Sequence, residues 1–252
     1  MLSNYFTIAL RSLWKNKGIA AINVVGLSVG LACFALFLLN VLNEFSYNRF
    51  HTNADRIYVV SRNIGEIDGE PARKSIFLPM PLGPALKADL PDVEQFVRFP
   101  GLGDAFVRTP KGVVMERAGY TDAAFFEMFN FPFLYGDAGS AFASPNNVVL
   151  TQKMANKLFG ESNPTGKALE IKVEEVFESF TVSAVLEDYP SNSGIIHFEI
   201  LLPFEKFAST KRGKRVDNRW THSSMPTYVQ LREGSGLPGD TARLAEFFLK
   251  YY

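Results

Sequence analysis

The chain has 252 residues, of which 26 are basic and 26 acidic, so it lacks the basic excess of a nucleic-acid-binding protein, and no nucleic-acid partner is predicted. Apolar residues make up 47% and charged residues 21%, which excludes a disordered chain and supplies enough side chains for a core. One Cys excludes both a disulfide scaffold and a Cys-rich metal site.

Charge is distributed unevenly along the chain. Residues 1–17 carry three basic residues and no acid, residues 18–42 carry no charge, and residues 43–252 carry 23 basic and 26 acidic residues. This pattern predicts a cytoplasmic juxtamembrane helix over 1–17, a transmembrane helix over 18–42 and a water-exposed domain over 43–252.

The first segment has the apolar spacing of an amphipathic helix. Its apolar stripe contains Leu2, Tyr5, Phe6, Ala9, Leu10, Leu13 and Trp14. Polar and basic side chains, including Arg11 and Lys15, lie on the opposite side. Beside a membrane span, such a helix is expected to lie in the interface of the lipid bilayer.

The uncharged segment is long enough to cross a membrane. Its 25 residues would form a helix of roughly 37 Å, against a hydrocarbon core of about 30 Å. A cleaved signal peptide is the alternative, but its apolar region is shorter and ends in an A-x-A-like site. Residues 43–47 contain no such site, so we predict an uncleaved anchor. Basic residues flank only its N-terminal side, which predicts a cytoplasmic N-terminus and an extracytoplasmic domain over 43–252.

Four residues of this helix share one face, namely Asn23, Gly26, Gly30 and Cys33. The two glycines form a G-x-x-x-G motif, and small residues allow a second helix to approach closely. The alternative is that Gly is simply common in membrane helices. Because Asn prefers a protein partner to lipid, we predict that this face packs against another membrane helix.

The remaining sequence alternates short strand patterns with short helix patterns. Strands are predicted over 57–62, 74–78, 93–99, 113–117, 148–150, 169–173, 180–186, 197–202 and 227–231. Helices are predicted over 81–90, 122–129, 151–159 and 240–250, with Thr151 and Asp240 as N-caps and Gly160 ending the third helix. The pattern is typical of an α+β domain.

Residues 160–168 superficially resemble a phosphate-binding loop. Five residues separate Gly160 from Gly166 instead of four, and Ala168 replaces the hydroxyl residue that would hold Mg²⁺. The segment also follows a predicted helix rather than a strand. We therefore predict a turn and no nucleotide binding.

No catalytic, cofactor-binding or metal-binding residue is predicted. His51, His197 and His222 have no partner at zinc-ligand spacing, and there is no H-E-x-x-H or G-x-S-x-G motif. A pair of catalytic carboxylates cannot be identified from sequence alone. The basic cluster at residues 211–215 is interpreted as a solvated loop, with contact to anionic headgroups or a partner as the alternative.

Several ordered stretches resemble ABC-transporter permeases of the MacB/FtsX type. They are A9-LRSLWKNKG-18 before the membrane helix, S46-YNRFHTNADRIY-58, N147-VVLTQKMANKLFGESNPTGK-167, L186-EDYPSNS-193 and H197-FEILLP-203. The first is similar to the permease N-terminus, and the third is similar to the MacB-like periplasmic core domain. The resemblance covers almost the whole chain.

The resemblance implies an α+β extracytoplasmic domain of two lobes, anchored by one N-terminal transmembrane helix in the bacterial inner membrane. Residues 43–110 with 203–252 would form the membrane-proximal lobe, and 111–202 the inserted lobe. It implies no enzyme activity in this chain itself. The implied partners are an ABC ATPase subunit, a second permease copy or the remaining permease helices, the lipid bilayer and an envelope partner protein.

The sequence departs from the family pattern after the core domain, where family permeases carry further membrane helices. No segment after Leu42 is apolar and long enough to span. We expect the N-terminal piece of a longer permease or a truncated frame, which alone neither moves a substrate nor hydrolyses ATP. Two other functions stay open: a membrane-anchored binding module without an ATPase, and an anchored envelope hydrolase.

Overall fold

A computed structural model describes residues 2–46, 51–65, 73–188, 193–194, 198–222 and 224–251. The chain divides into two compact units, residues 1–47 and residues 48–252. Each unit is described by itself.

The first unit consists of two helices, α1 (Leu2–Lys15) and α2 (Lys17–Ser46). They are separated only at Asn16, whose backbone N–H donates to Ser12 O at 3.1 Å and whose carbonyl accepts from Ala20 N at 3.0 Å. The predicted helices at the N-terminus are therefore confirmed as helices. The position of α1 in a bilayer interface stays a prediction.

The second unit mixes twelve strands with seven α-helices over its described residues. The strands are β1 (Ile57–Val59), β2 (Arg62–Ile64), β3 (Arg73–Ser75), β4 (Val93–Arg98), β5 (Leu102–Thr109), β6 (Gly112–Thr121), β7 (Phe133–Tyr135), β8 (Asn147–Thr151), β9 (Ala168–Val173), β10 (Val176–Leu186), β11 (Ile200–Pro203) and β12 (Thr227–Leu231). The helices are α3 (Leu82–Asp89), α4 (Phe125–Met128), α5 (Ala138–Ala141), α6 (Gln152–Phe159), α7 (Phe204–Ser209), α8 (Lys211–Val216) and α9 (Thr241–Tyr251). The predicted α+β class with one N-terminal apolar helix is confirmed.

Three antiparallel strands in the order β1-β12-β4 form the sheet that we call the small sheet. Strand β12 is central, so the segment that follows α2 in sequence and the segment that precedes α9 belong to one sheet. Apolar residues of β4 and β12 pack with α3 and α9 in a single cluster containing Leu82, Leu86, Val93, Val229, Leu231 and Phe247. Burial of this cluster holds α3 and α9 against the strands.

The larger sheet closes on itself. Its order is β7-β10-β8-β11-β6-β5-β9, and β10 pairs with β9 as well. Residues 176–181 of β10 pair with β9, while residues 181–186 pair with β8. Six strands therefore form a closed circuit, the strand ring, which leaves no free edge among them. The buried apolar cluster that it forms contains Val107, Leu150, Ile171, Phe180 and Ile200 from the strands and Met154 from α6.

A second core beside the strand ring is aromatic. The ring of Phe125 lies 5.4 Å from that of Phe131, nearly parallel, and 5.2 Å from that of Phe129, all centroid to centroid. The predicted aromatic helix over 122–129 is observed as the single turn α4, with Phe125 only 1% exposed. The many Phe residues of this sequence thus supply packing.

Local sequence determines where helix α6 begins and ends. The hydroxyl oxygen of Thr151 accepts from Met154 N at 3.2 Å, which satisfies one free N–H of the first turn. Gly160 ends the helix with φ of +76°, a conformation that side chains disfavour. The predicted cap, helix and stop are confirmed.

Other element predictions were incomplete. Strand β5 was missed, and the strand predicted over 57–62 is interrupted, with β1 ending at Val59. The strand predicted over 197–202 is observed as β11, and His197 lies outside the described residues. The division of residues 43–252 into two lobes stays a prediction, and the β5–β6 hairpin spans its boundary at residue 110.

Candidate functional site

The candidate site in the first unit is the long apolar helix α2. Within Lys17–Phe45, an 18-residue window has a mean hydropathy of 2.4, and the helix is long and apolar enough to cross a membrane. The large apolar side chains along the helix are exposed, with Ile22 at 73% and Phe37 at 72%. Such exposure would be costly in water, so the helix requires lipid or other helices around it.

The predicted packing face of α2 is uncovered in this chain. Asn23, Gly26, Gly30 and Cys33 are all exposed. A Cβ atom placed on either glycine would meet no described atom within 4 Å. The face is therefore free to receive a helix, and its role in packing stays a prediction.

The first described residues of the second unit, His51 and Thr52, contact its aromatic core. The ring of His51 lies edge-on to Phe129 and Phe131, at centroid distances of 5.3 Å and 5.4 Å. The backbone N–H of Thr52 donates to Asn130 Oδ1 at 2.9 Å. Burial lowers the pKa of His51 to about 4, because a charged imidazole loses its hydration there. His51 is therefore neutral in the folded protein at any pH above this value.

Arg56 makes a second attachment, to the small sheet. Its Nη1 donates to Glu94 Oε2 at 3.0 Å and to Leu231 O at 3.3 Å, and its Nη2 donates to Asn53 Oδ1 at 2.8 Å. One guanidinium thereby ties the entering chain to both β4 and β12. This use of several donors in a fixed plane is a property of Arg that Lys does not share.

Two carboxylates, one at the end of α3 and one just after it, bind side chains of α9. Arg243 Nη2 donates to Asp92 Oδ2 at 2.5 Å, and Lys250 Nζ donates to Asp89 Oδ2 at 2.7 Å. Tyr251 Oη donates to the same Asp89 oxygen at 2.8 Å. The hydrogen bonds from Lys250 and Tyr251 lower the pKa of Asp89. Both ends of the domain sequence therefore meet in or beside the small sheet.

The segment over 160–168 is a turn, as predicted. Gly166 N donates to Val182 O at 2.8 Å, and Lys167 N donates to Pro164 O at 3.0 Å. Lys167 Nζ donates to Ser162 Oγ at 3.2 Å within the same turn. Two of the amides that a phosphate loop would direct at a ligand are thus bound to the protein's own carbonyls.

The basic cluster at residues 211–215 is not a loop, so that prediction was wrong. Its residues form the helix α8, capped by the Thr210 hydroxyl, which accepts from Gly213 N at 3.0 Å. Gly213, in the middle of this cluster, disfavours a helix by local propensity. In the structure it is buried against Phe207, whose carbonyl oxygen would lie 2.1 Å from a Cβ atom at this position.

The side chains that could carry chemistry do not gather in one place. Within residues 51–65 and the later described ranges, no three His, Cys, Asp or Glu side chains lie close enough to hold a metal ion. His51 is buried in the aromatic core, and His222 is exposed. The attachments of Arg56 and α9 are not predictable from the sequence, because residues so far apart in sequence give no local signal.

The described residues define an α+β domain that is preceded in sequence by one long apolar helix. The family model of the MacB-like periplasmic core domain matches residues 20–245. The chain therefore belongs to the family of the MacB-like periplasmic core domain, and the resemblance to MacB/FtsX-type permeases is confirmed. The family places it among membrane-anchored periplasmic domains of transporter permeases.

Solved structures that are similar to this chain include the following three. A domain of a protein described as a permease from Porphyromonas gingivalis has a TM-score of 0.66 at 22% identity, covering 80% of this chain and 84% of that one. The periplasmic region of MacB from Actinobacillus actinomycetemcomitans has a TM-score of 0.47 at 14% identity, covering 68% and 72%. The extracellular domain of the noncanonic ABC-type transporter YknZ from Gram-positive bacteria has a TM-score of 0.47 at 16% identity, covering 70% and 86%. No curated protein matches this chain.

Proposed function

We propose that this chain is a permease subunit of an ABC transporter whose extracytoplasmic domain is coupled to ATP hydrolysis by a partner ATPase, in export or in mechanotransmission. The observation that carries the proposal is the family match over residues 20–245, which includes most of the apolar helix α2 as well as the domain after it.

The attachments around the small sheet support mechanical coupling. His51 anchors the chain after α2 in the aromatic core, and Arg56 ties it to β4 and β12. A displacement that reached this segment would therefore pass to β4 and β12, whereas a flexible linker would absorb it. The partner ATPase, a second permease copy or further permease helices, and an envelope protein are the proposed partners.

Purification of the intact protein from its native membrane tests this function. We expect a protein with a true Walker A motif to copurify in mild detergent and to give vanadate-sensitive ATP hydrolysis. Membranes expressing a variant with a scrambled α2 sequence of the same composition serve as the control. A complex that contains no nucleotide-hydrolysing protein would instead favour an anchored binding module without an ATPase.

A further inference from the structure

We propose that α8 is a contact surface for anionic lipid headgroups of the bilayer that holds α2. Its surface consists of Lys211, Arg212, Lys214 and Arg215, which we call the basic helix face. All four side chains are exposed, and Arg219 follows them as a fifth exposed cation. The inference adds a binding surface to the proposed function and requires only that the domain is anchored to a membrane.

Two buried positions of α8 determine which of its side chains lie on the basic helix face. Gly213 and Val216 are one turn apart and buried, so the helix turns every basic residue outward. A Cβ atom at position 213 would lie 2.1 Å from the carbonyl oxygen of Phe207. Only glycine permits that approach of α8 to α7, and it fixes the orientation of the four cations.

Among the described residues, the side chains of the basic helix face form no ion pair, and the one carboxylate bonded to this segment, Glu174 Oε1, accepts from the backbone N–H of Lys211 at 2.6 Å. Nine ion pairs join described residues, and none includes Lys211, Arg212, Lys214, Arg215 or Arg219. Nearby Lys206, by contrast, pairs with Glu178. Residues 43–252 carry a net charge of −3, so this short basic stretch stands out against an acidic domain.

The chemistry of the face fits a charged plane better than a shaped ligand. Between Lys211 and Arg215 every exposed side chain is a cation, with no apolar or hydrogen-bond-accepting side chain to select a particular group. Such a surface responds to charge density, as polybasic segments do at anionic membranes. The anchor α2 keeps the domain beside a bilayer and so raises the effective concentration of headgroups.

A headgroup-proximity measurement on the full chain tests the proposal. The protein carries Cys33→Ser and a fluorophore on Ser209→Cys, an exposed position next to the cap of α8. It is placed in nanodiscs whose headgroups carry a quencher. We expect stronger quenching when about one third of the lipid is phosphatidylglycerol than when all of it is phosphatidylcholine, and loss of that difference at about 1 M salt.

Two matched variants decide what causes the quenching. One replaces Lys211, Arg212, Lys214 and Arg215 with Gln. The other replaces two Lys and two Arg elsewhere, the exposed and unpaired Lys74, Lys111, Arg117 and Arg232, also with Gln. We expect the first to reduce the lipid-dependent quenching at least about tenfold and the second to leave it unchanged.

Three results would overturn the proposal. The first is equal quenching in both lipids, and the second is an equal loss of quenching in the two variants. The third is a change in the fluorescence near α8 only when an acidic envelope protein is added. The last result would assign the face to a protein partner. No ATPase is present in the experiment, so its outcome is independent of the ATP coupling in the proposed function. Unchanged thermal unfolding of both variants confirms that charge, not folding, was altered.

Discussion

Arg98 and Asp122 form a two-pronged ion pair between the small sheet and the strand ring. Arg98 Nε donates to Asp122 Oδ2 at 3.0 Å, and Nη2 donates to Oδ1 at 2.6 Å. The backbone N–H of Arg98 also donates to Oδ2, at 2.7 Å. Arg98 ends β4, whereas Asp122 follows β6, so the pair joins the two sheets. The guanidinium carbon lies 3.6 Å from the ring centroid of Phe204.

The first prediction concerns this pair. The two side chains are only 14% and 12% exposed, so removing one charge leaves the other with little water. We expect Asp122→Asn to lower the free energy of unfolding by about 3 kcal/mol. Denaturant titration of the full chain in detergent, followed by near-ultraviolet circular dichroism, measures the change.

The exposed pair of Arg108 and Glu170 provides the control for that measurement. Its side chains are 50% and 45% exposed, and its Nη1–Oε2 distance is 3.0 Å. Water screens such a pair, so Glu170→Gln is expected to cost less than about 1 kcal/mol. Equal losses in the two variants would contradict a special role for Arg98 and Asp122 in joining the sheets.

The second prediction is a pH dependence that arises from His51. Its pKa in the folded state is about 4, below the value of 6.5 expected for an unfolded chain. The unfolded state therefore takes up the proton first as pH falls, so this contribution to stability is present above pH 6.5 and is lost between 6.5 and about 4.

Replacement by a residue that does not titrate in this range isolates the His51 contribution. The slope that one proton can give is at most about 1.4 kcal/mol per pH unit. We expect His51→Gln to flatten the stability profile between pH 6.5 and 4 relative to the unmodified chain, even if it lowers stability at neutral pH. Parallel profiles for both proteins would show that His51 does not carry this dependence.

The parts of the fold that were predictable are local. The α2 helix follows from an uncharged run of residues, and α6 follows from Thr151 and Gly160 at its two ends. Strand β5 was missed because Gly103 and Asp104 resemble a turn, and only pairing with β6 and β9 makes the segment a strand. Tertiary pairing there overrides local preference.

The contacts that hold the domain together are long-range and were not predictable. Arg98 and Asp122 are 24 residues apart, and Asp92 and Arg243 are 151 apart. The spacing of Arg243 and Lys250 by two helical turns put both on one face of α9, but nothing in the sequence named Asp89 and Asp92 as their partners. Charged residues are common on helix faces, so such a pattern has many candidate partners.

The third prediction is the membrane topology. The three basic residues before α2 predict a cytoplasmic N-terminus. Alkaline phosphatase fused after Tyr252 is expected to be active. Green fluorescent protein fused at the same position would be exported through the same translocon and is expected to be dark. The opposite pattern would reject both this topology and the proposed function. Moving the three basic residues to positions just after Ser46 provides the control, since it should weaken or reverse the orientation.

The fourth prediction is that the chain binds no ATP by itself. The turn over 160–168 has the wrong glycine spacing, and the N–H of Gly166 is already bonded to Val182. Equilibrium dialysis of the full chain in detergent with labelled ATP and Mg²⁺ should give no saturable binding. Saturable binding that is abolished by Lys167→Ala would show that this segment holds phosphate after all.

The fifth prediction treats the packing face of α2. At about 100° per residue, Gly26 and Gly30 lie on the face that also holds Asn23 and Cys33. Gly30→Leu would insert a four-carbon side chain where two helix backbones are expected to touch, so close packing should be lost. Lipid would accept the same Leu, which is favourable at a helix centre by about 0.3–0.6 kcal/mol. Gly30→Leu is therefore expected to disrupt packing if position 30 faces a helix and to be tolerated if it faces lipid.

The matched control for Gly30→Leu is Ala35→Leu, because Ala35 is small but lies on the opposite side of α2. In the complete transporter, we expect Gly30→Leu to insert normally yet to lose assembly or ATP-coupled activity, and Ala35→Leu to retain both. Cys33 gives an independent readout, since a packed thiol should resist an apolar maleimide that labels a lipid-facing one. Full activity of Gly30→Leu together with rapid labelling of Cys33 would reduce the motif to ordinary membrane-helix composition.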